Sequence, residues 1–272
     1  MVSFDEKLSK NYFMNHIEAA NLAKEILEKE TPYFKDKLAI SSFFNFNSDE
    51  YTKEIIEHQL TIIDSYYSTN MSKRYYGIEE IAESILKISS SKNELSKIFQ
   101  EFVRNPTLNN EIIELFKSEY GYNKLGEKYG QANSLISKYA YFVTNYNFPI
   151  YDSIVRKVYP LIMKTNIKDD NIVNFIIQMK ELLQSSNIEN FDKLDNFLWL
   201  IGKIKRGNYS LILKKDNYLS LIKKFKYQLE EIEGKNFSEK LFYYIETNID
   251  NLSNEFSKKQ IEMIKYSINL KK

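Results

Sequence analysis

The chain of 272 residues contains no cysteine, and this absence excludes several chemistries at once. Disulfides, thiolate nucleophiles, zinc–thiolate sites and cysteine-ligated iron–sulfur clusters are all impossible. Histidine is almost as scarce, since His16 and His58 are the only two and neither has a partner at a metal-ligand spacing. Glycine-rich phosphate loops, nucleophile elbows and dinucleotide fingerprints are missing as well. We therefore expect no metal site and no cofactor.

Long apolar runs and an excess of one charge are also lacking. No apolar run approaches the roughly 20 residues that span a bilayer, and residues 1–13 lack a basic region followed by an apolar core. The formal net charge is +1 with both signs interspersed, so any attraction to phosphate has to be local. We expect a cytoplasmic protein that has no membrane partner.

Seven glycines and four prolines are few turn-forming residues for an all-β fold of this length. Apolar residues instead recur at helical spacing almost everywhere, and one such helix is predicted to end at Gly121. The pattern predicts an all-α fold of roughly eleven or twelve helices. Three glycines fall within residues 121–130, and we interpret this irregular stretch as the connection between two packed helical lobes, 1–120 and 121–272. It is either a domain boundary or a loop at the mouth of a cleft.

Residues 131–160 are predicted to form a helix, a short turn and a second helix. On the first helix the apolar face includes Leu135 and Tyr139, and Lys138 falls off this face, where a lysine is ordinarily solvated. Pro149 then imposes an extended backbone, and Asp152 or Ser153 is expected to cap the second helix. Asp152 is either an N-cap only or an N-cap that also forms the wall of an active site. Both roles need the same geometry, so a capping role does not exclude a catalytic one.

Residues 148–158, FPIYDSIVRKV, resemble the segment of helix-hairpin-helix DNA glycosylases that carries the essential aspartate. In that family a Pro-hydrophobic pair precedes the aspartate, and basic residues follow it. Residues 137–140, SKYA, resemble the start of the preceding helix, where bifunctional members carry a lysine nucleophile. The resemblance implies that Asp152 is the catalytic carboxylate and that Lys138 is the nucleophile, within a helix-hairpin-helix-like segment at 131–160.

One part of the family pattern is absent from this segment. The family's hairpin has a Gly-hydrophobic-Gly turn whose amides hold a DNA phosphate, whereas Ser134, Leu135 and Ile136 occupy the matching positions here. A β-branched residue is unfavourable where φ must be positive, so we expect an altered phosphate-binding hairpin. The resemblance still makes Ser134, Ser137, Arg156 and Lys157 candidate DNA contacts.

The implied chemistry requires residues of these types. A target base has to leave the stack and enter a pocket. Positive charge develops on the sugar as the glycosidic bond breaks, and a fixed carboxylate stabilises it. An amine at C1′ forms a Schiff base and permits strand cleavage, provided that burial lowers its pKa.

A locally basic stretch follows the only tryptophan, Trp199. Lys203, Lys205 and Arg206 begin this stretch, and we interpret them as candidate phosphate contacts. The alternative is an ordinary solvated basic face. Trp199 itself lies in a core-type apolar stripe, but it could instead line a cleft near Asp192 or Asp195.

These observations favour a DNA-binding protein that resembles a base-excision N-glycosylase, with or without lyase activity, and DNA is the expected partner. Two alternatives stay open. One is a catalytically inert helical DNA-binding module, and the other is a helical protein-interaction subunit with no nucleic-acid role.

Overall fold

The regular structure of the chain is helical, as the sequence predicts. The computed structural model describes residues 14–28, 31–45, 51–167, 171–228 and 236–270, and these ranges contain two isolated β-bridges but no strand. Short 3-10 helices lie at 71–73, 209–211 and 249–251. The thirteen α-helices of the described residues are α1 His16–Leu27, α2 Pro32–Ser42, α3 Lys53–Tyr67, α4 Gly77–Ile88, α5 Lys92–Arg104, α6 Asn110–Lys117, α7 Asn133–Val143, α8 Ser153–Met163, α9 Ile172–Ser185, α10 Phe191–Lys205, α11 Lys215–Tyr227, α12 Phe237–Asn248 and α13 Lys258–Asn269.

Local capping explains where many of these helices begin. The side chains of Asn15, Thr31, Thr52 and Ser91 each accept a hydrogen bond from a backbone N–H in the first turn of the helix that follows. At α2 the cap is followed directly by Pro32, whose fixed φ suits the first helical position.

The prediction that a helix ends at Gly121 is wrong. Helix α6 ends at Lys117, and Ser118 is its C-cap. Gly121 has φ +75°, and its N–H donates to Glu80 Oε2 at 2.7 Å. The glycine therefore serves a turn that is pinned to α4, and it does not terminate a helix.

Two groups of helices can be recognised from their contacts. Helix α10 packs against α1, α8 and α13, while α7 packs against α3 and α5 and α3 packs against α4. Helix α1 thus joins the helices of the C-terminal half, and α7 joins those of the N-terminal half. Helices that pack together are not always neighbours in sequence, and the predicted division at residue 120 stays a prediction.

A single glycine permits the close approach of α8 and α10. A Cβ atom at Gly202 would lie 2.3 Å from Cγ2 of Ile154 and 3.4 Å from Cγ2 of Val158. Because the first distance is far below a van der Waals contact, only glycine allows α10 to lie this near to α8. Among the described residues, no helix is long and apolar enough to cross a membrane.

Candidate functional site

The turn between α7 and α8 brings two distant side chains together. Asn145 and Tyr146 both adopt left-handed backbone angles, with φ values of 51° and 68°, and these reverse the chain. The returning chain is then held by Ser137 of α7, whose hydroxyl accepts a hydrogen bond from the backbone N–H of Tyr151 at 2.9 Å. Lys138 follows Ser137 in sequence and Asp152 follows Tyr151. The hydrogen bond between Ser137 and Tyr151 therefore brings Lys138 and Asp152 side by side.

Asp152 is the N-cap of α8, one of the two caps that the sequence allowed. Its Oδ1 accepts hydrogen bonds from the backbone N–H groups of Ile154 at 2.8 Å and Val155 at 3.0 Å. Its Oδ2 lies 3.9 Å from Nζ of Lys138. The carboxylate is therefore held rigidly by one oxygen while the other faces the lysine.

Lys138 is buried, which overturns the expectation that it lies on a solvated helix face. Every residue of α7 from 135 to 143 is buried, because α3, α5 and the returning chain cover the helix on several sides. Only 3% of Lys138 is exposed, and its Nζ donates to Oγ of Ser134 at 2.7 Å and lies 5.2 Å from the centre of the Tyr67 ring. Burial lowers the pKa of Lys138, and the carboxylates of Asp152 and Asp195 act in the opposite direction.

Lys138 and Asp152 line a pocket of about 490 Å³. We call it the catalytic-pair pocket, after the roles that the family resemblance implies for these two residues. Helices α2, α3, α7, α8 and α10 all contribute to its walls, together with residues 68–70 that follow α3. The volume falls within the range of about 300–1,000 Å³ that is typical of small-molecule sites. Other charged residues in its wall are Asp36, Lys203 and Arg206.

Trp199 forms an aromatic wall of this pocket together with Tyr33. The two ring centres lie 4.3 Å apart with planes tilted by 40°, and the Nζ of Lys203 lies 5.1 Å from the Trp199 ring. Trp199 is half-buried. It packs against the hydrophobic core and also lines the pocket, so each of the two interpretations of this tryptophan is correct in part. An aromatic pair in a pocket wall is suited to contact with a flat ring.

Two buried polar side chains of α10, Asp195 and Asn196, form hydrogen bonds with Tyr33 of the aromatic wall. The hydroxyl of Tyr33 lies 3.1 Å from Asp195 Oδ2 and 2.8 Å from Asn196 Oδ1. Burial is the largest cause of a rise in the pKa of Asp195 to about 7. The neighbouring charge of Asp152 acts in the same direction, while Lys37 opposes this shift. This carboxyl is consequently the group of the site that titrates near neutral pH.

A second buried contact joins α2 and α10 nearby. Asp192 forms an ion pair with Lys37 and accepts a hydrogen bond from the hydroxyl of Tyr141 at 2.6 Å. Tyr33, Asp36 and Lys37 all come from α2, a helix that the periodicity analysis did not recognise. The pair Thr31 and Pro32, an N-cap followed by proline at the first helical position, is the sequence signal that could have found it.

Four of the predicted DNA contacts lie together in a second depression, which we call the basic groove. It has a volume of about 730 Å³ and runs between α8 and α10. Among the described residues that line it, five are cationic and none carries a carboxylate. The cationic residues are Arg156, Lys157, Lys164, Lys205 and Arg206. Arg206 and Ile154 also line the catalytic-pair pocket, so the two depressions adjoin. Lys203, the remaining basic candidate, lines the pocket instead.

Two predicted DNA contacts on α7 have other roles. Ser137 is fully buried, and its hydroxyl is used by Tyr151 N–H and by the carbonyl of Ser134, so a direct contact between Ser137 and DNA is excluded in this structure. Ser134 lines the pocket and holds the amine of Lys138. Residues 134–136 lie inside α7, because the helix begins at Asn133, and they form no hairpin turn.

The rest of the basic stretch does not extend the groove. Lys224 pairs with the buried Glu255 at 2.6 Å, and Lys214 lies at the start of α11 beside residues of α1 and α13. The packing of α11 thus places Lys214 and Lys224 away from the basic groove, although they belong to the same basic stretch of the sequence. In the described residues no group of three or more histidine or acidic side chains is placed to hold a metal ion.

Comparison with known proteins gives one distant similarity. The chain is 26% identical over 211 residues to an uncharacterized protein of Haemophilus influenzae, and the match covers 66% of this chain and 96% of that protein. No protein-family model matches the chain. No solved structure matches it either. The chemistry of the site therefore carries the functional argument.

Proposed function

We propose that this protein is a DNA N-glycosylase in which Lys138 is the nucleophile and Asp152 is the essential carboxylate. It resembles the helix-hairpin-helix type in this pair of residues but lacks the hairpin turn at residues 134–136. The observation that carries the proposal is the distance of 3.9 Å between Lys138 Nζ and Asp152 Oδ2 in a pocket that Trp199 also lines. An amine, a carboxylate and an aromatic surface are the groups that extraction and removal of a nucleobase require.

The environment of the pair suits each proposed role. A nucleophilic amine has to be neutral, and burial of Lys138 lowers its pKa in this direction. The amine attacks C1′ of the extruded nucleotide, and the base leaves with the electrons of the glycosidic bond. Asp152, held by two backbone N–H groups, stabilises the positive charge that develops on the sugar. The bound nitrogen then loses a proton and forms the C1′=N bond as the C1′–O4′ bond breaks, and O4′ takes up a proton. The product is the Schiff base from which the strand is cleaved.

The proposal includes the architecture of two helical lobes with the site in the cleft between them. Its support is the contact pattern, in which α7 packs with α3 and α5 whereas α8 packs with α10. Lys138 comes from the first group, and Asp152 and Trp199 come from the second. The basic groove adjoins the pocket and is suited to the phosphate backbone of the bound strand.

Borohydride trapping on duplexes that carry damaged bases tests the nucleophile, and release of the free base tests glycosylase activity separately. We expect Lys138→Gln to abolish the trapped complex. We expect Asp152→Asn to slow base release by at least about a hundredfold, although asparagine still caps the helix well and preserves the fold. Lys97→Gln on the exposed face of α5 is the matched control and should change neither reaction.

Three results would contradict parts of this proposal. A trapped complex that persists in Lys138→Gln assigns the nucleophile to another residue. Base release that is unchanged in Asp152→Asn shows that the catalytic carboxylate lies elsewhere. Wild-type protein that binds DNA but releases no base from any duplex has no glycosylase activity.

A DNA-binding protein without catalysis is the second candidate, and a separate observation favours it. The described residues that line the basic groove include five cations and no carboxylate, and this arrangement attracts phosphate whether or not the pocket is catalytic. Salt-dependent binding to undamaged duplex would support both candidates. Its absence would favour a helical interaction protein that has no nucleic-acid role.

A further inference from the structure

Asp36 is a carboxylate of the catalytic-pair pocket for which the proposed reaction has no use. Two of the described residues that line the pocket carry a carboxylate, Asp36 and Asp152. The two oxygens of Asp152 are occupied by backbone N–H groups and by Lys138. Asp36 forms no hydrogen bond or ion pair with any other residue that the structure describes. It is half-buried in the wall of the pocket, and this burial raises its pKa. An acceptor that is held partly away from water without a partner is free to bind a ligand.

The position of Asp36 places it beside the aromatic wall. It lies three residues after Tyr33 on α2, so the two side chains emerge on the same face of the helix. Tyr33 contacts Trp199, and the charge of Asp36 contributes to the raised pKa of Tyr67 on the neighbouring wall. Asp36 and Trp199 both line the pocket, so a flat ring that is bound against the aromatic wall can turn its edge toward Asp36.

The hydrogen-bonding capacity of a carboxylate limits which base edge fits. An ionised carboxylate only accepts hydrogen bonds, and its two oxygens bind best to two adjacent N–H donors. Among the DNA bases, the Watson–Crick edge of guanine offers such a pair, the ring N1–H and the exocyclic amino group. Adenine and cytosine place a ring acceptor beside their amino group, and thymine has one ring N–H between two carbonyls. Each of these would set an acceptor against the carboxylate.

We propose that Asp36 is a specificity-determining residue that selects guanine, or a guanine derivative that keeps both N–H groups, as the base bound in the catalytic-pair pocket. The inference rests on the proposed function, since it assumes that the pocket receives an extruded nucleobase. It goes further by naming the class of base and the residue that recognises it.

Binding of deoxynucleosides tests this assignment without any catalytic step. Trp199 is the only tryptophan of the chain and lines the pocket, so its fluorescence reports occupancy directly. We expect deoxyguanosine to quench this fluorescence with saturation at lower concentration than deoxyadenosine, deoxycytidine or thymidine. In Asp36→Asn, which replaces one acceptor oxygen by an amide donor, the preference for deoxyguanosine over deoxyadenosine should fall by about tenfold or more.

The control variant is measured by the same fluorescence titration with the four deoxynucleosides, which also gives the results that would contradict the inference. Asp216→Asn makes the same chemical change at an exposed position outside the pocket, and it should leave the preference unchanged. Loss of affinity for all four nucleosides alike would indicate a structural role for Asp36 and would overturn the inference. A wild-type protein with no preference for deoxyguanosine would also overturn it.

The outcome separates this inference from the proposed function. Selective binding of deoxyguanosine, lost in Asp36→Asn, would support the inference even if no duplex released a base, and the glycosylase proposal alone would then be rejected. Base release together with an unselective pocket would reject the inference and leave the glycosylase proposal intact.

Discussion

The hydroxyl of Ser137 accepts a hydrogen bond from the backbone N–H of Tyr151, 14 residues further along the chain. This bond places Lys138 beside Asp152. Ser137 itself cannot reach a ligand, since it is fully buried. Its contribution is to hold the start of α8 against the middle of α7. The geometry of the candidate catalytic pair therefore depends on a residue that neither touches the pocket nor carries charge.

Replacement of Ser137 by alanine should destabilise the protein. The N–H of Tyr151 would lose its acceptor in a buried environment, which costs about 1–3 kcal/mol. Urea denaturation measures this difference directly. Ser118→Ala removes an exposed hydroxyl as a control and should change the free energy of unfolding by less than about 0.5 kcal/mol. Equal stability of Ser137→Ala and wild type would show that the bond does not hold the turn.

The buried carboxyl of Asp195 should make stability depend on pH. Its pKa in the folded state is about 7, above the ordinary value of 3.8, so the folded protein binds a proton that the unfolded chain has released. The stabilising effect is complete below pH 3.8 and is lost as pH rises through 7, by at most about 1.4 kcal/mol per pH unit.

Asp195→Asn tests this dependence, because an amide cannot ionise but can still accept from Tyr33. We expect the stability of the variant relative to wild type to increase between pH 5 and pH 8, as measured by urea denaturation at each pH. Asp216→Asn, at an exposed position, should show no such trend. A constant difference between Asp195→Asn and wild type over this range would contradict the raised pKa.

Gly202→Ala should destabilise the packing of α8 on α10. Alanine is ordinarily the better helix former by about 1 kcal/mol, so a gain is expected wherever space allows it. Here the new Cβ would lie 2.3 Å from Ile154 Cγ2, and such overpacking typically costs about 1–3 kcal/mol.

The double variant Gly202→Ala with Ile154→Ala isolates this clash. Because Ile154→Ala removes the methyl group that the new Cβ would meet, we expect the two changes together to cost less than the sum of their separate effects. Thermal or urea unfolding of the four proteins of the cycle gives the coupling. Simple additivity would mean that α8 moves aside without cost.

Lys157→Gln should weaken DNA binding without changing its preference for any sequence. Lys157 is exposed on α8 and lines the basic groove, and loss of one phosphate contact lowers the slope of log affinity against log salt by about 0.9. Fluorescence anisotropy across a range of salt concentrations measures this slope, with Lys97→Gln as the control. An unchanged slope would place the DNA backbone outside the groove.

Much of the local structure could be predicted because its causes are local. Apolar periodicity predicts α7 and α8, and the capping preference of aspartate predicts how Asp152 is held. Helix α2 escaped detection because its apolar residues do not form one regular face, although Thr31 and Pro32 mark its start. That omission removed Tyr33, Asp36 and Lys37 from the predicted site.

The sequence by itself determined that the described chain is helical, that Asp152 or Ser153 caps a helix and that cysteine chemistry is excluded. Only the tertiary structure decided that Lys138 is buried, that Trp199 faces a pocket and that some of the clustered cations join the groove while others pair elsewhere. The reason is physical. Capping and helix formation depend on residues within a few positions, whereas the burial of a side chain depends on which distant helices cover it.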